Sequence, residues 1–288
     1  MKIRLTTFAR NDENLRLRFI ERYCGGSAHW RDLEFVSDDS FDWLIIFTSP
    51  HQDTKDYDEG KAITLLTEPP SSPNRRSHKT SRIEKMYLPL PFLPSTIYGS
   101  AKFGGNEEII KKNKLLSIVT SDLSYLKGHQ ARLQFVYSLD RVVLEGLDIW
   151  GKSQQSSFFK YIRNYHGPIV DKYEALWKYK YHFACENSFE RNYFTEKIAD
   201  PIIAESLCFY DGCKNLYEFI DERAFIKINV KKQRESIETI IVAIENNEWR
   251  RRIRYIREQK KRLLNELHPL NIIWLTVHQK DVLKECRL

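Results

Sequence analysis

FACENSFERNYFTEK, Phe183 to Lys197, is the stretch on which the reading of this chain turns. The run Tyr181 to Cys185 predicts a strand that delivers Glu186 and Asn187 at its carboxyl end. A polar loop, Ser188 to Asn192, follows, and then Tyr193. Thr195 is a good N-cap residue, so a helix is expected to open with Glu196 and Lys197. A helix N-terminus presents N–H groups and partial positive charge, which together favour a phosphate. Lys197 opposes the macrodipole of an empty helix, an objection that a bound pyrophosphate removes. Glu196 can accept hydrogen bonds from ribose hydroxyls. An ordinary strand–loop–helix connection with surface charges fits the same residues, and physics alone leaves both readings open.

Working outward, strand-like and helix-like segments alternate. Lys2 to Thr7 reads as a strand, and Asn11 or Asp12 caps a helix to about Tyr23 with Leu15, Phe19 and Ile20 on one face. Trp43 to Thr48 and Ala62 to Leu66 read as buried strands, the second running into Thr67-Glu68-Pro69-Pro70. Ser71 to Ser81 is polar and turn-rich, a loop. A boundary between lobes is expected within Lys102 to Lys114, around Gly104-Gly105. The second series comprises a strand at Lys114–Thr120, a helix at His129–Leu139, a strand within Val142–Trp150, a helix at Asp171–Trp177 and the Tyr181–Cys185 strand. It continues with a helix at Thr195–Glu205, to which Pro201 is a mild objection, and a strand at Leu207–Tyr210. A helix at Lys214–Ile220, a strand at Ala224–Ile228 and a helix at Lys231–Glu245 complete it. Such alternation implies parallel sheets with helices on both faces and ligands beyond the carboxyl ends of the strands.

The 288 residues are enough for two compact lobes, and 42% hydrophobic with 30% charged residues suits a folded, soluble chain. Aromatic residues reach 13%, which most often means core filling. A net charge of +7 suits anionic partners, and much of the excess sits in Arg250, Arg251, Arg252, Arg254, Arg257, Lys260, Lys261 and Arg262. The five cysteines, Cys24, Cys185, Cys208, Cys213 and Cys286, have scattered spacings and match no zinc pattern; reduced thiols in the cytosol are expected. The N-terminus lacks the long apolar run of a signal peptide, and no apolar run approaches the length of a membrane span. The expected location is therefore cytoplasmic.

The pattern F-x-x-E-N-S-x-x-x-x-Y-x-T-E-K, carried by Phe183, Glu186, Asn187, Ser188, Tyr193, Thr195, Glu196 and Lys197, resembles the α-1,3-fucosyltransferase family, glycosyltransferase family 10. The resemblance continues through Ile198, Ala204, Tyr210, Gly212 and Asn215-Leu216-Tyr217 to Phe225-Ile226. It covers about Lys114 to Ile228 well and the first lobe much more weakly. It implies an α/β fold of GT-B type, with two Rossmann-like doubly wound lobes facing a cleft and a basic C-terminal helix. The acceptor-side lobe would span 1–112, the donor-binding lobe 113–248 and the basic segment 249–288. The implied activity is inverting transfer of fucose from GDP-fucose to a glycan acceptor hydroxyl. Asn187, Tyr193, Glu196 and Lys197 fall at the family's donor-binding positions, with Glu196 on the ribose and Lys197 on the phosphates. Glu186, Ser188 and Thr195 are their neighbours. An arginine early in the second lobe's first helix also contacts pyrophosphate in the family, and Arg132 is the candidate. The catalytic base is an acid of the first lobe, for which Glu68 is the candidate; the prolines behind it fix its approach. Asp42, Asp53, Asp56, Asp58 and Glu59 are the alternatives.

In the implied mechanism Glu68 takes the proton of the attacking hydroxyl, while Arg132, Lys197 and the helix start at Thr195 stabilise charge on the departing GDP. This scheme calls for no metal, and the D-x-D spacing of Asp56 and Asp58 is read as solvated. Another nucleotide sugar on the same fold, or a non-catalytic sugar- or nucleotide-binding protein, is the alternative. Trp249 to Leu267 reads as one helix with Ile253, Ile256, Leu263, Leu264 and Leu267 on one face, ended by Pro269. It is expected to pack across the lobes, with peripheral contact of Arg250–Arg262 to an acidic membrane as the second reading. No nucleic-acid motif accompanies the charge, so no specific nucleic acid is expected. The loop basic residues Arg75, Arg76, His78, Lys79 and Arg82 are read as solvated rather than as an acidic-glycan contact.

Overall fold

The computed structural model describes residues 1–93, 111–124, 127–143, 145–153 and 157–288. The boundary expected around Gly104-Gly105 lies outside these residues. The chain divides into two compact units, Met1–Glu108 with Asn265–Arg287 and Ile109–Leu264 with Leu288.

The first unit contains β1 (Lys2–Thr7), α1 (Asp12–Tyr23), β2 (His29–Trp30), β3 (Leu33–Val36), β4 (Trp43–Phe47), β5 (Ala62–Leu66) and β6 (Arg82–Tyr87). They form one sheet in the order β2-β3-β1-β4-β5-β6, in which every pairing but β2–β3 is parallel. Asn11 caps α1 by accepting the Asn14 N–H at 2.9 Å. The helix buries Phe19, Ile20 and Tyr23, and the Phe19 ring meets Phe35 and Phe47. Sequence periodicity passes over β2, β3 and β6. β6 is an edge strand whose Arg82, Glu84 and Lys85 give it no apolar run, and β2 holds only two residues.

The second unit contains β7 (Lys114–Val119), α2 (Lys127–Val142), β8 (Leu147–Trp150), β9 (Tyr165–Gly167), β10 (Tyr179–Cys185) and α3 (Glu196–Ile203). β11 (Leu207–Asp211), β12 (Phe225–Lys227), α4 (Gln233–Glu245) and α5 (Glu248–Leu264) follow. The parallel sheet runs β12-β11-β10-β7-β8-β9. Phe183 and Phe135 pack at 5.0 Å between sheet and α2, and Tyr181 stacks on Phe209 at 5.6 Å. The segments expected as helices at Asp171–Trp177 and Lys214–Ile220 are only short 3₁₀ turns, Lys172–Ala175 and Leu216–Glu218. In each, an Asp or Asn at the start favours a tight turn over propagation.

The stretch 249–288 is divided between the units. α5 belongs to the second and packs on α3 and β11, burying Ile256, Gln259 and Leu263. It stops at Leu264, short of the expected Leu267. Pro269 does not merely end it: Pro269 opens a further helix, α6 (Pro269–Val277), where a missing N–H costs nothing, and His268 caps that helix. α6 and α7 (Val282–Cys286) return to the first unit. There Trp274 Nε1 donates to Asp32 Oδ1 at 2.7 Å and Arg82 donates to the Thr276 carbonyl. Among the described residues, no helix is long and apolar enough to cross a membrane.

Candidate functional site

Strand order locates the site in the second unit. From β7 the chain builds outward through β8 and β9, then returns to place β10 on the other side of β7. The reversal opens a crevice beyond the carboxyl ends of β7 and β10, where ligands of doubly wound sheets bind. α2 begins after β7 and α3 after β10, so the first turns of two helices share that edge.

Asn187, just past β10, joins the two. Its Oδ1 accepts a hydrogen bond from Arg132 Nη1 at 3.0 Å, while Arg132 Nη2 reaches the Ser121 carbonyl at 3.3 Å. Arg132 is buried, held at the sheet edge rather than waving from a solvated helix. Gly128 makes the approach feasible: a Cβ there would stand 2.6 Å from the Asn187 carbonyl oxygen. His129 is buried alongside, its pKa held down to about 4 by burial and by Arg132, so the ring is neutral at neutral pH. Neither Gly128 nor His129 carried an expectation. A glycine at a helix start was the available signal, since it marks either flexibility or close backbone approach.

The loop from Ser188 to Phe194 is fixed from β11's side. Asn192 adopts a left-handed φ of 62°, tolerable for asparagine. Its N–H donates to Asn215 Oδ1 at 2.8 Å, and Asn215 Nδ2 donates back to Asn192 Oδ1 at 2.8 Å. Tyr193 is buried, and Ser188 Oγ makes a long 3.4 Å contact with Glu190.

Thr195 caps α3, its Oγ1 accepting the Lys197 N–H at 3.3 Å. The Lys197 ammonium lies 3.3 Å from Glu196 Oε1 and 3.4 Å from Glu186 Oε2. Burial works against both charges, but Glu196 and Glu186 outweigh it for Lys197, raising its pKa. Likewise burial would push the Glu196 carboxyl up, yet Lys197 and Lys172 bring it down to about 2. Lys172 also binds Asp200 Oδ2 at 2.8 Å, anchoring the next turn of α3. The structure therefore brings Arg132, Asn187, Glu196 and Lys197, with Glu186 and Thr195, to one edge: two cations and two helix starts beside two carboxylates. That arrangement can hold a diphosphate and a neighbouring polyol.

Glu68 belongs to the other unit, just beyond β5. Its N–H donates to Thr48 Oγ1 at 3.1 Å, and the Thr67 N–H donates to the same oxygen at 2.9 Å. Thr48 holds a left-handed φ of 67°, a strained state for a β-branched residue that the two bonds stabilise. Thr48 was not foreseen. Of the alternative acids, Asp58 caps a turn by accepting the Gly60 N–H at 2.8 Å, and Asp42 accepts the Lys2 N–H at 2.7 Å. Among the described residues, no group of three or more His, Cys, Asp or Glu is placed to hold a metal ion.

A family model described as glycosyltransferase family 10 (fucosyltransferase) C-term matches residues 109–269, more than half of the chain. No curated protein matches in sequence. Among solved structures, an α1,3-fucosyltransferase with GDP is similar at 17% identity and a TM-score of 0.57, over 88% of this chain and 81% of that one. An α1,3-fucosyltransferase with GDP-fucose is similar at 15% identity and a TM-score of 0.54, with the same coverage. TarM of S. aureus, in a complex that includes UDP, follows at 11% identity and a TM-score of 0.50, over 76% of this chain and 43% of that one. The two parallel α/β sheets and these likenesses make the fold GT-B type. The chain belongs to glycosyltransferase family 10 and is a fucosyltransferase-like glycosyltransferase.

Proposed function

We propose that the protein is an inverting α-1,3-fucosyltransferase that moves fucose from GDP-fucose to a hydroxyl of a glycan acceptor. The observation that carries this is the placing of the Arg132–Asn187 pair and the Lys197–Glu186 pair at the switch point of the second sheet, beside the first turns of two helices. The similarity to α1,3-fucosyltransferases solved with GDP and with GDP-fucose supports the choice of donor.

Arg132 and Lys197 take the pyrophosphate, and Glu196 takes the ribose hydroxyls. Tyr193 and Asn187 complete the donor wall, with Ser188 at its border. The cations are in place before reaction, so charge growing on the departing GDP meets oriented donors without reorganisation. Glu68 accepts the proton of the acceptor hydroxyl as that hydroxyl attacks the anomeric carbon from the face opposite the phosphate. The backbone of Glu68 is held by Thr48, which suits a base that must not wander.

TarM's complex with UDP gives the second reading, a GT-B enzyme with another nucleotide sugar. Donor hydrolysis across GDP-fucose, GDP-mannose and UDP-sugars decides between them. Turnover of GDP-fucose alone is the expected result, and turnover of a UDP-sugar in its place would overturn the choice of donor. We further propose a cytoplasmic enzyme whose α5 meets acidic membrane through the exposed Arg250, Arg251, Arg254 and Lys261. Arg257 and Lys260 are committed elsewhere, to Glu205 at 3.0 and 2.8 Å. Flotation with acidic liposomes should fall when the four exposed residues are neutralised, and unchanged recovery would remove this part.

A further inference from the structure

Glu186, just past β10 and within the motif, is fully buried and leaves its carboxylate no exposed surface to offer a ligand. Burying an ionised carboxylate is costly unless its lone pairs are satisfied. Four donors converge on this one. The Thr195 N–H reaches Oε1 at 2.9 Å, and the Thr195 hydroxyl lies 2.9 and 3.0 Å from the two oxygens. The Tyr210 hydroxyl donates to Oε1 at 3.2 Å, and the Lys197 ammonium stands 3.4 Å from Oε2. A carboxylate offers about four lone-pair directions, so its capacity is filled. The pocket is cut to this group: a Cβ on Gly212 would fall 2.4 Å from Glu186 Cγ and 2.5 Å from the Tyr210 hydroxyl.

We propose that Glu186 is a positioning residue for donor binding: held by Thr195 and Tyr210, its carboxylate draws the Lys197 ammonium to the place where the pyrophosphate must sit. The proposal rests on the donor reading above and deepens it. Lys197 has a long flexible stem whose ordering costs rotamer entropy on each binding event. Glu186 from below and Glu196 from the side impose that order in advance. Burial raises the Glu186 carboxyl's pKa, and the facing Lys197 ammonium opposes that rise. Glutamine has the same shape but one acceptor oxygen and an NH₂ that would face other donors.

A purely electrostatic role predicts the opposite outcome. If Glu186 only offset positive charge, Glu186→Gln would leave the site more cationic and bind GDP more tightly. The experiment is calorimetric titration of GDP into wild type, Glu186→Gln, Lys197→Met and the double variant. Glu186→Gln should weaken GDP binding about tenfold or more, the scale of one charged hydrogen bond. The double variant should bind within about twofold of Lys197→Met, since both changes remove the same cation from its place. Multiplying losses would mark a structural role and overturn the proposal, as would unchanged or tighter binding by Glu186→Gln. Should that variant fail to fold, Tyr210→Phe removes a single donor from the carboxylate. It should weaken GDP binding several-fold, and unchanged affinity would overturn the proposal. Wild type that binds no GDP would sink the donor reading itself, whereas wild-type binding matched by Glu186→Gln sinks this inference alone.

Discussion

The two sheets are built alike and finished differently. Each is six-stranded, nearly all parallel, with a strand-order reversal at its first strand. Beyond β7 and β10 the edge is charged and tied together in two groups: Arg132 holds Asn187, and Glu186 holds Thr195 and Lys197. Beyond β4 and β5 the edge is held by neutral hydroxyls. Thr48 accepts from two backbone N–H groups, and Ser49 Oγ ties Asn74 to Arg76, accepting from the Arg76 N–H at 2.9 Å. On the function proposed above, the difference is one of task. Gripping an anion needs fixed charges, which are costly to bury singly and therefore come in networks. Presenting a single base needs only a rigid backbone.

The largest effect expected follows from that division. Glu68→Gln should lower kcat for fucosyl transfer by about 10² to 10⁴ while leaving GDP affinity unchanged. Lost GDP binding in this variant would break the division, and near wild-type transfer would remove Glu68 as the base. Next, Arg132→Ala should lower kcat/KM for the donor by about 10² to 10³, because its charge is needed most on the departing diphosphate. A rise in acceptor KM alone would place Arg132 outside the donor site.

Backbone fit comes third. Gly128→Val puts a side chain where a Cβ already meets the Asn187 carbonyl oxygen at 2.6 Å. The start of α2 must shift, and GDP affinity should fall about tenfold, with about 1–3 kcal/mol lost in thermal unfolding. Thr48→Val is the counterpart in the first unit. It leaves the Thr67 and Glu68 N–H groups without their shared acceptor, so kcat should drop several-fold and stability by about 1–3 kcal/mol, with GDP affinity untouched.

The last effect is on stability alone and is shared by both units. Burial, then Arg132, holds His129 at about 4, and burial holds His268 at about 3. In the unfolded chain both titrate near 6.5. As pH falls below that value the unfolded state takes up protons that the folded state refuses. Stability is therefore greatest above about 6.5 and declines as pH drops toward 4, by on the order of 2 kcal/mol per histidine. Unfolding measured against pH should show a flatter slope in His129→Asn and in His268→Asn. His268 also accepts the Leu270 N–H through Nδ1, which protonation abolishes, so acid should loosen the start of α6.

The same contrast explains what the amino-acid order disclosed. Phe183 to Lys197 is legible because charges, a cap and an asparagine at a tight bend each need a particular residue type, and that demand leaves a pattern. Apolar runs were enough for β1, β4, β5, β7, β10 and β11; in β4, β5 and β11 nearly continuous burial leaves few polar residues. It was not enough for β6 or β9, where edge position removes the apolar signal. Thr48 and Ser49 act through single hydroxyls, which any loop carries, so the first unit's edge left no comparable trace. Gly128 and Gly212 matter for the atoms that they do not have, and which glycines meet a close neighbour is decided only when distant strands assemble.

The most direct measurement is calorimetric titration of GDP into wild type, Lys197→Ala and Glu68→Gln. Donor recognition in the second unit predicts saturable binding to wild type and to Glu68→Gln with equal affinity, and loss of at least tenfold in Lys197→Ala. Binding of GDP to Lys197→Ala as tight as to wild type would contradict it.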